Sequence, residues 1–211
     1  MHPSLARMRY RSSIIALVGG VALTATLSLA EGNATFPAEA EFSGTLVKRV
    51  DGKKYRAQVF AKGDRLRLEY KYAIRTELGF SAIEIIRPDV GERWYVLPQQ
   101  KQLLVLPITD DTLSMRTELA GETSRTAVGD AAVAGRAALL FDVQVERQGV
   151  PERFYEWVDV ETGVVLKLVS QDRNWSFEYE RIRMSPQSNR YFEEPPGYRK
   201  RPGGMNQGRE E

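Results

Sequence analysis

Apolar and polar residues alternate strictly along residues 65–70 of this chain. Leu66, Leu68 and Tyr70 fall on one face of an extended chain there, and charged residues fall on the other. Short runs rich in β-branched and aromatic residues continue as far as residue 106, separated by Gly-Asp and proline-containing pairs. Because side chains alternate with a period of two along a strand, this pattern predicts an antiparallel meander.

The same alternation predicts strands on both sides of this meander. Asp51-Gly52 predicts a two-residue hairpin, because both residues tolerate positive φ. Trp175, Phe177 and Tyr179 share one face of the last long strand. The flanking strands are predicted at residues 42–50, 55–61, 131–134, 139–146, 154–159, 164–170 and 175–184.

One helix is predicted between the strands. Thr109 and the two aspartates after it can cap a helix that runs from Asp110 to Ala120, and Gly121 would end it. It spans only about three turns, so it must pack on the sheet to persist. We therefore interpret it as a lid helix.

The two ends of the chain differ from its centre. Arg7, Arg9 and Arg11 precede an uncharged apolar run, and small residues around Ala30 suit a signal peptidase. This predicts a signal peptide over residues 1–30, cleavage near Ala30 and a periplasmic protein. A retained membrane anchor is the alternative, but the run of about sixteen residues is short of the roughly 20 that span a bilayer.

The C-terminal segment is predicted to place an aromatic residue against the sheet before it becomes disordered. Tyr191-Phe192 and Tyr198 supply that residue, and a basic, glycine-rich tail follows over residues 199–211. One domain of residues 31–198 remains between the signal peptide and the tail, long enough to bury a core. The chain has no cysteine, so apolar burial must hold this domain together.

Charge gives no support to a nucleic-acid partner. The chain has 30 basic and 28 acidic residues, and the signal peptide accounts for three of the arginines and none of the acids. The remaining chain, with 27 basic and 28 acidic residues, is nearly neutral. We expect no binding to nucleic acid.

Catalytic residues are scarce. The single histidine, His2, belongs to the signal peptide, so the exported chain can build neither a Ser-His-Asp nor a Cys-His site and lacks the usual zinc ligands. The acidic pairs Asp110-Asp111 and Glu193-Glu194 are interpreted as a helix cap and a solvated end, because adjacent strand residues point to opposite faces. We expect no enzymatic activity, no metal and no cofactor.

Several motifs carry a resemblance to a known family. They are Lys-Gly-Asp-Arg-Leu-Arg-Leu-Glu at 62–69, Ile-Ile-Arg-Pro-Asp at 85–89, Trp-Tyr-Val-Leu-Pro at 94–98, Trp-Val-Asp at 157–159, Glu-Thr-Gly at 161–163, Leu-Lys at 166–167, Phe192 and Pro-Gly-Tyr at 196–198. In this order and spacing, the sequence resembles a bacterial domain-of-unknown-function family related to the outer-membrane lipoprotein-sorting proteins. The resemblance covers most of the chain after the signal peptide.

The resemblance implies a mostly β fold. Its single, strongly curved antiparallel sheet forms an incomplete barrel around an apolar concavity, with one or two short helices over the mouth. In the carrier proteins of this group the concavity holds acyl chains of a lipoprotein in transit. The chain departs from the carriers in lacking a long amphipathic helix before residue 42, since residues 31–41 are few and include a proline.

Two functions follow from this fold. The first is an exported envelope protein that binds a lipid, an amphiphile or the acyl chain of a lipidated protein, with possible participation in lipoprotein sorting. The alternative is a non-catalytic sensor or assembly module that docks another envelope protein. A carrier predicts a continuous void, whereas a docking module predicts a packed interior with an exposed apolar patch or a bare sheet edge.

The candidate ligand-binding residues are apolar positions on the predicted strands. Trp94, Trp157 and Phe177 are expected to point together into the concavity, although the same residues could form an ordinary core. Arg65 and Arg67 are expected to lie on a solvated face, and the protein is expected to be a monomer. The candidates are Leu66, Leu68, Tyr70, Ile85, Trp94, Val96, Phe141, Trp157, Leu166 and Phe177.

Overall fold

The computed structural model describes residues 40–109, 117–172 and 174–204. Within these residues the chain forms twelve strands and three single 3-10 turns, with no α-helix. The strands are β1 Glu41–Val50, β2 Lys53–Lys62, β3 Arg65–Thr76, β4 Gly79–Arg87, β5 Glu92–Leu97, β6 Gln102–Pro107, β7 Glu122–Val133, β8 Arg136–Arg147, β9 Val150–Asp159, β10 Val165–Ser170, β11 Trp175–Met184 and β12 Arg199–Pro202. The 3-10 turns are Pro88–Val90, Pro98–Gln100 and Asn189–Tyr191.

All of these strands belong to one open sheet, in the order β12-β6-β5-β4-β3-β2-β1-β11-β10-β9-β8-β7. Two meanders, β1 to β6 and β7 to β11, join where β1 pairs with β11. The pairing of β12 with β6 is parallel, and the others are antiparallel. The predicted single antiparallel sheet is therefore confirmed, and β7 and β12 are its edges.

The sheet curls back toward itself. Strands β7 and β11 come into contact although three strands lie between them in the sheet. Four steps across a flat sheet would hold them about 19 Å apart. This curvature lets one sheet bury a face largely against its own strands, which is the incomplete barrel that was predicted.

The two faces of the sheet carry separate hydrophobic clusters. We call the face that bears Leu66 and Leu68 the inner face, and the larger core cluster lies on it. Because directly opposed residues share a face, the pairs Arg67–Ile85 and Ile85–Trp94 place a smaller core cluster on the opposite, outer face.

Turn chemistry predicted one hairpin correctly. Asp51 and Gly52 connect β1 to β2 with φ values of 49° and 74°. Positive φ at both central residues is what a two-residue hairpin of matching twist requires. The register between β1 and β2 then continues without a break over all ten pairs.

A C-terminal strap, residues 185–204, crosses the outer face of the first meander. It begins near β1, where the Gln187 backbone N–H donates to Glu41 over 2.6 Å, and it ends as β12 beside β6. Phe192 is fully buried, and Tyr198 packs against the smaller core cluster. The strap thus explains why apolar residues on the outer face are shielded from water.

The strap corrects two expectations from the sequence. Arg65 and Arg67 do not face water alone, because their guanidinium groups lie over the rings of Phe192 and Tyr191 at 5.4 and 5.8 Å. The disordered tail predicted from Arg199 does not begin there, since β12 forms four pairs with β6. Residues 205–211 lie outside the described residues.

The segment between β6 and β7 also differs from its prediction. Residues 110–116 of the predicted helix lie outside the described residues, and residues 117–120 form bends and a turn. Leu119 packs into the larger core cluster. The short strand predicted at 131–134 is the end of the longer β7, which tolerates Gly129 through a bulge in its pairing with β8.

The predicted signal peptide, residues 1–30, lies outside the described residues. Among the residues that are described, the structure contains no helix with the length and hydrophobicity needed to cross a membrane.

Candidate functional site

The structure divides the predicted ligand-binding residues between the two faces. Ile85, Trp94 and Val96 belong to the smaller cluster on the outer face, beneath the strap. Six others belong to the larger cluster or pack against it on the inner face: Leu66, Leu68, Tyr70, Phe141, Leu166 and Phe177. Trp157 also packs against this cluster, but its strand register turns it to the other face.

Strand register explains why three expected partners do not meet. Phe177 pairs with Leu168 and faces inward, whereas Trp157 pairs with the neighbouring Lys167 and therefore points the other way. Trp94 lies on the outer face with Ile85. Only Phe177 of the three expected rings thus lines the inner face.

A row of aromatic rings fills part of the inner face. Consecutive rings meet edge to face, with centroids separated by 6.4, 5.9, 6.4 and 5.6 Å. Edge-to-face contact at such distances is favourable beyond simple area burial. The interior is therefore packed at this row. Its members in order are Phe154, Trp175, Phe177, Tyr179 and Phe42.

A first polar group is buried among the apolar strands of the first meander. The Tyr70 hydroxyl donates to the carboxylate of Glu84 over 2.5 Å, and Arg93 Nε lies 3.9 Å from the other carboxylate oxygen. Burial, followed by the nearby Glu84 carboxylate, raises the pKa of Tyr70 well above its usual value. Tyr70 therefore remains a neutral donor to Glu84 across the physiological range.

A second polar group connects β7 to the interior. The Arg125 guanidinium donates to the carboxylates of Glu122 and Glu156 and to the backbone carbonyl of Thr117. Glu156 is completely buried, and burial raises its pKa to about 7 although Arg125 acts in the opposite direction. The sequence pattern missed Glu156, because apolar residues surround it on both faces of β9.

These polar groups do not resemble a metal site. Among the described residues, no group of three or more potential ligands is arranged to hold a metal ion. Tyr70 and Arg93 both contact the Glu84 carboxylate, and Arg125 forms ion pairs with Glu122 and Glu156. In both groups the polar side chains therefore interact with each other within the sheet.

The edges of the sheet differ in length and chemistry. At one edge, β12 has four residues, of which three are basic and one is proline. At the other edge, β7 has twelve residues, and among the described strands it pairs with β8 alone. Eight of the twelve are exposed, and their side chains are small except for Asp130 and Val128. The sequence pattern missed this edge because it predicted only the short segment 131–134.

The fold is similar to that of a solved protein, MucB. MucB superposes with a TM-score of 0.53 at 18% identity, over 77% of this chain and 60% of MucB. This chain therefore spans somewhat less than two thirds of the MucB chain.

Two further solved structures are more distant. One is a putative outer-membrane lipoprotein-sorting protein domain from Vibrio parahaemolyticus, with a TM-score of 0.36 at 10% identity over 72% of this chain and 89% of that chain. The other is the Mycobacterium tuberculosis lipoprotein LppX, with a TM-score of 0.40 at 12% identity over 69% and 88%. Neither a protein-family model nor a curated protein matches the sequence. The mostly β fold that the resemblance implied is confirmed by the strands themselves.

Proposed function

We propose that this protein is a non-catalytic docking module of the cell envelope, which binds an extended segment of another envelope protein along β7. The observation that carries the proposal is that one edge of β7 is unpaired among the described strands. A strand at an edge presents unpaired backbone N–H and C=O groups to any extended chain that can approach it.

The contrast between the two edges supports a binding role for β7. Natural sheets protect their edges with short strands, charged side chains and proline, and β12 uses all three. The longer β7 has no proline, and the guanidinium of Arg125 is turned to Glu122 and Glu156. Small side chains along the remaining edge leave room for a partner backbone, as strand addition requires.

The packed interior also favours docking over lipid carriage. The rings of Phe42 and Phe177 are completely buried by the chain itself. An acyl chain on the inner face would have to displace side chains that already contact one another. A continuous apolar void is the feature that the carrier hypothesis requires.

The comparison is compatible with a protein partner. MucB, whose fold this chain shares, has also been solved in complex with MucA. Export by the predicted signal peptide and a periplasmic location belong to the same proposal. A lipidated protein as the partner would agree with both functions predicted from the sequence, lipid binding and protein docking, because β7 could bind its polypeptide portion.

The proposal can be tested by site-specific crosslinking in cells. Val128, on β7, is 57% exposed, and Val160, in the turn after β9, is 60% exposed. A photoreactive residue at position 128 should yield a discrete crosslinked protein, and the same residue at position 160 should not. Equal crosslinking at both positions, or none at position 128, would contradict docking at β7.

A blocking substitution tests the same edge without a crosslinker. Lysine on an edge strand opposes the addition of another strand. Val128→Lys should therefore abolish the crosslink from a photoreactive residue at the neighbouring Thr126, whereas the matched Val160→Lys should leave it intact. Native mass spectrometry of the exported protein tests the alternative, since stoichiometric lipid in the absence of a crosslinked partner would favour the carrier function.

A further inference from the structure

The strap lies over a group of arginine and apolar residues on the outer face of the first meander. Arg67 pairs with Ile85, and Ile85 pairs with Trp94, so these three side chains share that face. Arg65 and Arg87 each lie two residues from Arg67 and Ile85 along their strands and therefore point the same way. We call these five residues the strap site.

The arginines of the strap site contact the strap mainly through its backbone. Arg67 Nη1 donates to the Tyr191 carbonyl over 3.3 Å, and Arg87 Nη1 donates to the Phe192 carbonyl over 2.9 Å. The guanidinium of Arg65 lies over the Phe192 ring, which is completely buried. Because every residue has a backbone carbonyl, the buried Phe192 ring is the main feature of this contact that selects a sequence.

Two of these arginines are positioned independently of the strap. Arg67 Nε donates to Glu69 over 2.7 Å, and Arg87 donates to the two carboxylate oxygens of Asp89 over 2.7 and 2.6 Å. Each acid lies two residues from its arginine, so these ion pairs do not require the strap. A guanidinium that is already fixed loses less conformational freedom when it binds a carbonyl. The strap site is therefore pre-organised for an extended chain.

The strand at the end of the strap is short. With four residues, β12 is the shortest of the described strands, and its pairing with β6 is parallel, which is slightly less stable per residue than antiparallel pairing. Its last residue, Pro202, has no N–H to donate. One side chain adds a contact, because Lys200 Nζ lies 3.1 Å from Glu92 and 4.5 Å from the centre of the Trp94 ring. Among the described strands, β12 is thus the one that a competing chain displaces most easily.

We propose that the strap site is a second peptide-binding site, which the strap occupies until an extended segment of a partner protein displaces it. The partner segment places an aromatic side chain where Phe192 lies, accepts from Arg67 and Arg87 through its backbone, and pairs with β6 in place of β12. A second copy of this chain offers only the same strap, so exchange between copies gains no contact. The site is separate from β7, which lies at the opposite edge of the sheet from β12.

Fluorescence anisotropy with a labelled peptide of the sequence 187–204 tests the proposal on the full exported protein. The unmodified protein should bind it weakly, because its own strap competes at a high effective concentration. Lys200→Glu places a second negative charge beside Glu92 and weakens the strap without altering the strap site. This variant should bind the peptide about tenfold more tightly than the unmodified protein does. A peptide carrying Phe192→Ala should bind the same variant about thirtyfold more weakly.

Two controls separate the strap site from general effects. Arg201→Glu makes the same charge change at the next residue of β12, where the exposed side chain points the other way. It should bind the peptide no better than the unmodified protein. Val128→Lys, which blocks β7, should leave peptide binding to the Lys200→Glu variant unchanged, so that the two proposed sites are tested independently.

Three results overturn the proposal. They are no binding of the peptide to a folded Lys200→Glu protein, equal binding of the Phe192→Ala peptide, and dimerisation of the Lys200→Glu protein, which would make the strap of a second copy the occupant. If Lys200→Glu does not fold, Gly203→Pro replaces it, because this change removes the N–H that donates to the Val105 carbonyl over 2.8 Å. The same outcomes then apply.

Discussion

Gly44 illustrates how one missing side chain allows two strands to pack. It lies on β1 opposite Ile182, and the ring of Tyr179 crosses beside its backbone. A Cβ at this position would lie 2.6 Å from the Arg181 carbonyl oxygen and 3.1 Å from the Tyr179 ring. We expect Gly44→Ala to lower the free energy of unfolding by about 1–3 kcal/mol, measured by urea denaturation.

Gly129 provides the matched control within another strand. A Cβ there would meet no heavy atom within 4 Å. Gly129→Ala should leave the stability unchanged or raise it slightly, because alanine has less conformational freedom to lose on folding. If both alanine variants unfold at the same urea concentration, the close approach at Gly44 does not constrain the fold.

Glu156 should make stability depend on pH. Burial raises the pKa of this carboxyl from 4.5 to about 7 in the folded protein. Between these values the folded chain keeps a proton that the unfolded chain has released, so the stability contributed by this group falls as pH rises. In the unmodified protein, this group should lower the free energy of unfolding by up to about 3 kcal/mol as the pH rises from about 4.5 to about 8. In the Glu156→Gln variant this decrease should be absent.

Urea unfolding of both proteins across this range provides the measurement. Glu193→Gln, at an exposed position in the strap, is the control and should keep the pH dependence of the unmodified protein. Identical pH profiles for the unmodified protein and Glu156→Gln would show that the buried carboxyl is not protonated in this range.

The contribution of the strap to the stability of the fold depends on the aromatic ring of Phe192. Phe192 is completely buried, the Arg65 guanidinium lies over it, and Arg87 donates to its backbone carbonyl over 2.9 Å. Phe192→Ala should lower the free energy of unfolding by about 3–5 kcal/mol, because it leaves a cavity under the strap. Thermal and urea unfolding measure this loss.

Tyr191 is the control for that prediction. It precedes Phe192 in the strap and packs on Phe60, but its ring remains partly exposed. Tyr191→Ala should therefore cost distinctly less stability than Phe192→Ala. A larger loss for Tyr191→Ala would mean that the strap is held mainly by its outer contacts.

At the level of elements, local pattern predicted most of the strands and missed their ends. The predicted strand at residues 175–184 coincides with β11. The segment 131–134 proved to be part of a much longer strand, since the bulge near Gly129 lets β7 continue past a residue that usually ends a strand. A bulge depends on the partner strand, so the local sequence alone could not reveal it.

For the whole molecule, pairing between distant strands decided which residues meet. Alternation showed that Leu66 and Leu68 share a face, but only the pairing of Arg67 with Ile85 and of Ile85 with Trp94 shows that Trp94 lies on the other face. The chain's small net charge of +2, its single histidine and its lack of cysteine were evident from the sequence, because composition is independent of folding.

The sequence by itself determined the strand-rich character, the Asp51-Gly52 hairpin and the burial of Leu66 and Leu68, because each follows from local turn chemistry or a period of two. Tertiary structure decided the order of the described strands and which two of them, β7 and β12, end the sheet. It also decided that the strap covers the smaller cluster, so that Arg65 and Arg67 contact aromatic rings. These features depend on contacts between residues far apart in the chain, for which a local pattern contains no information.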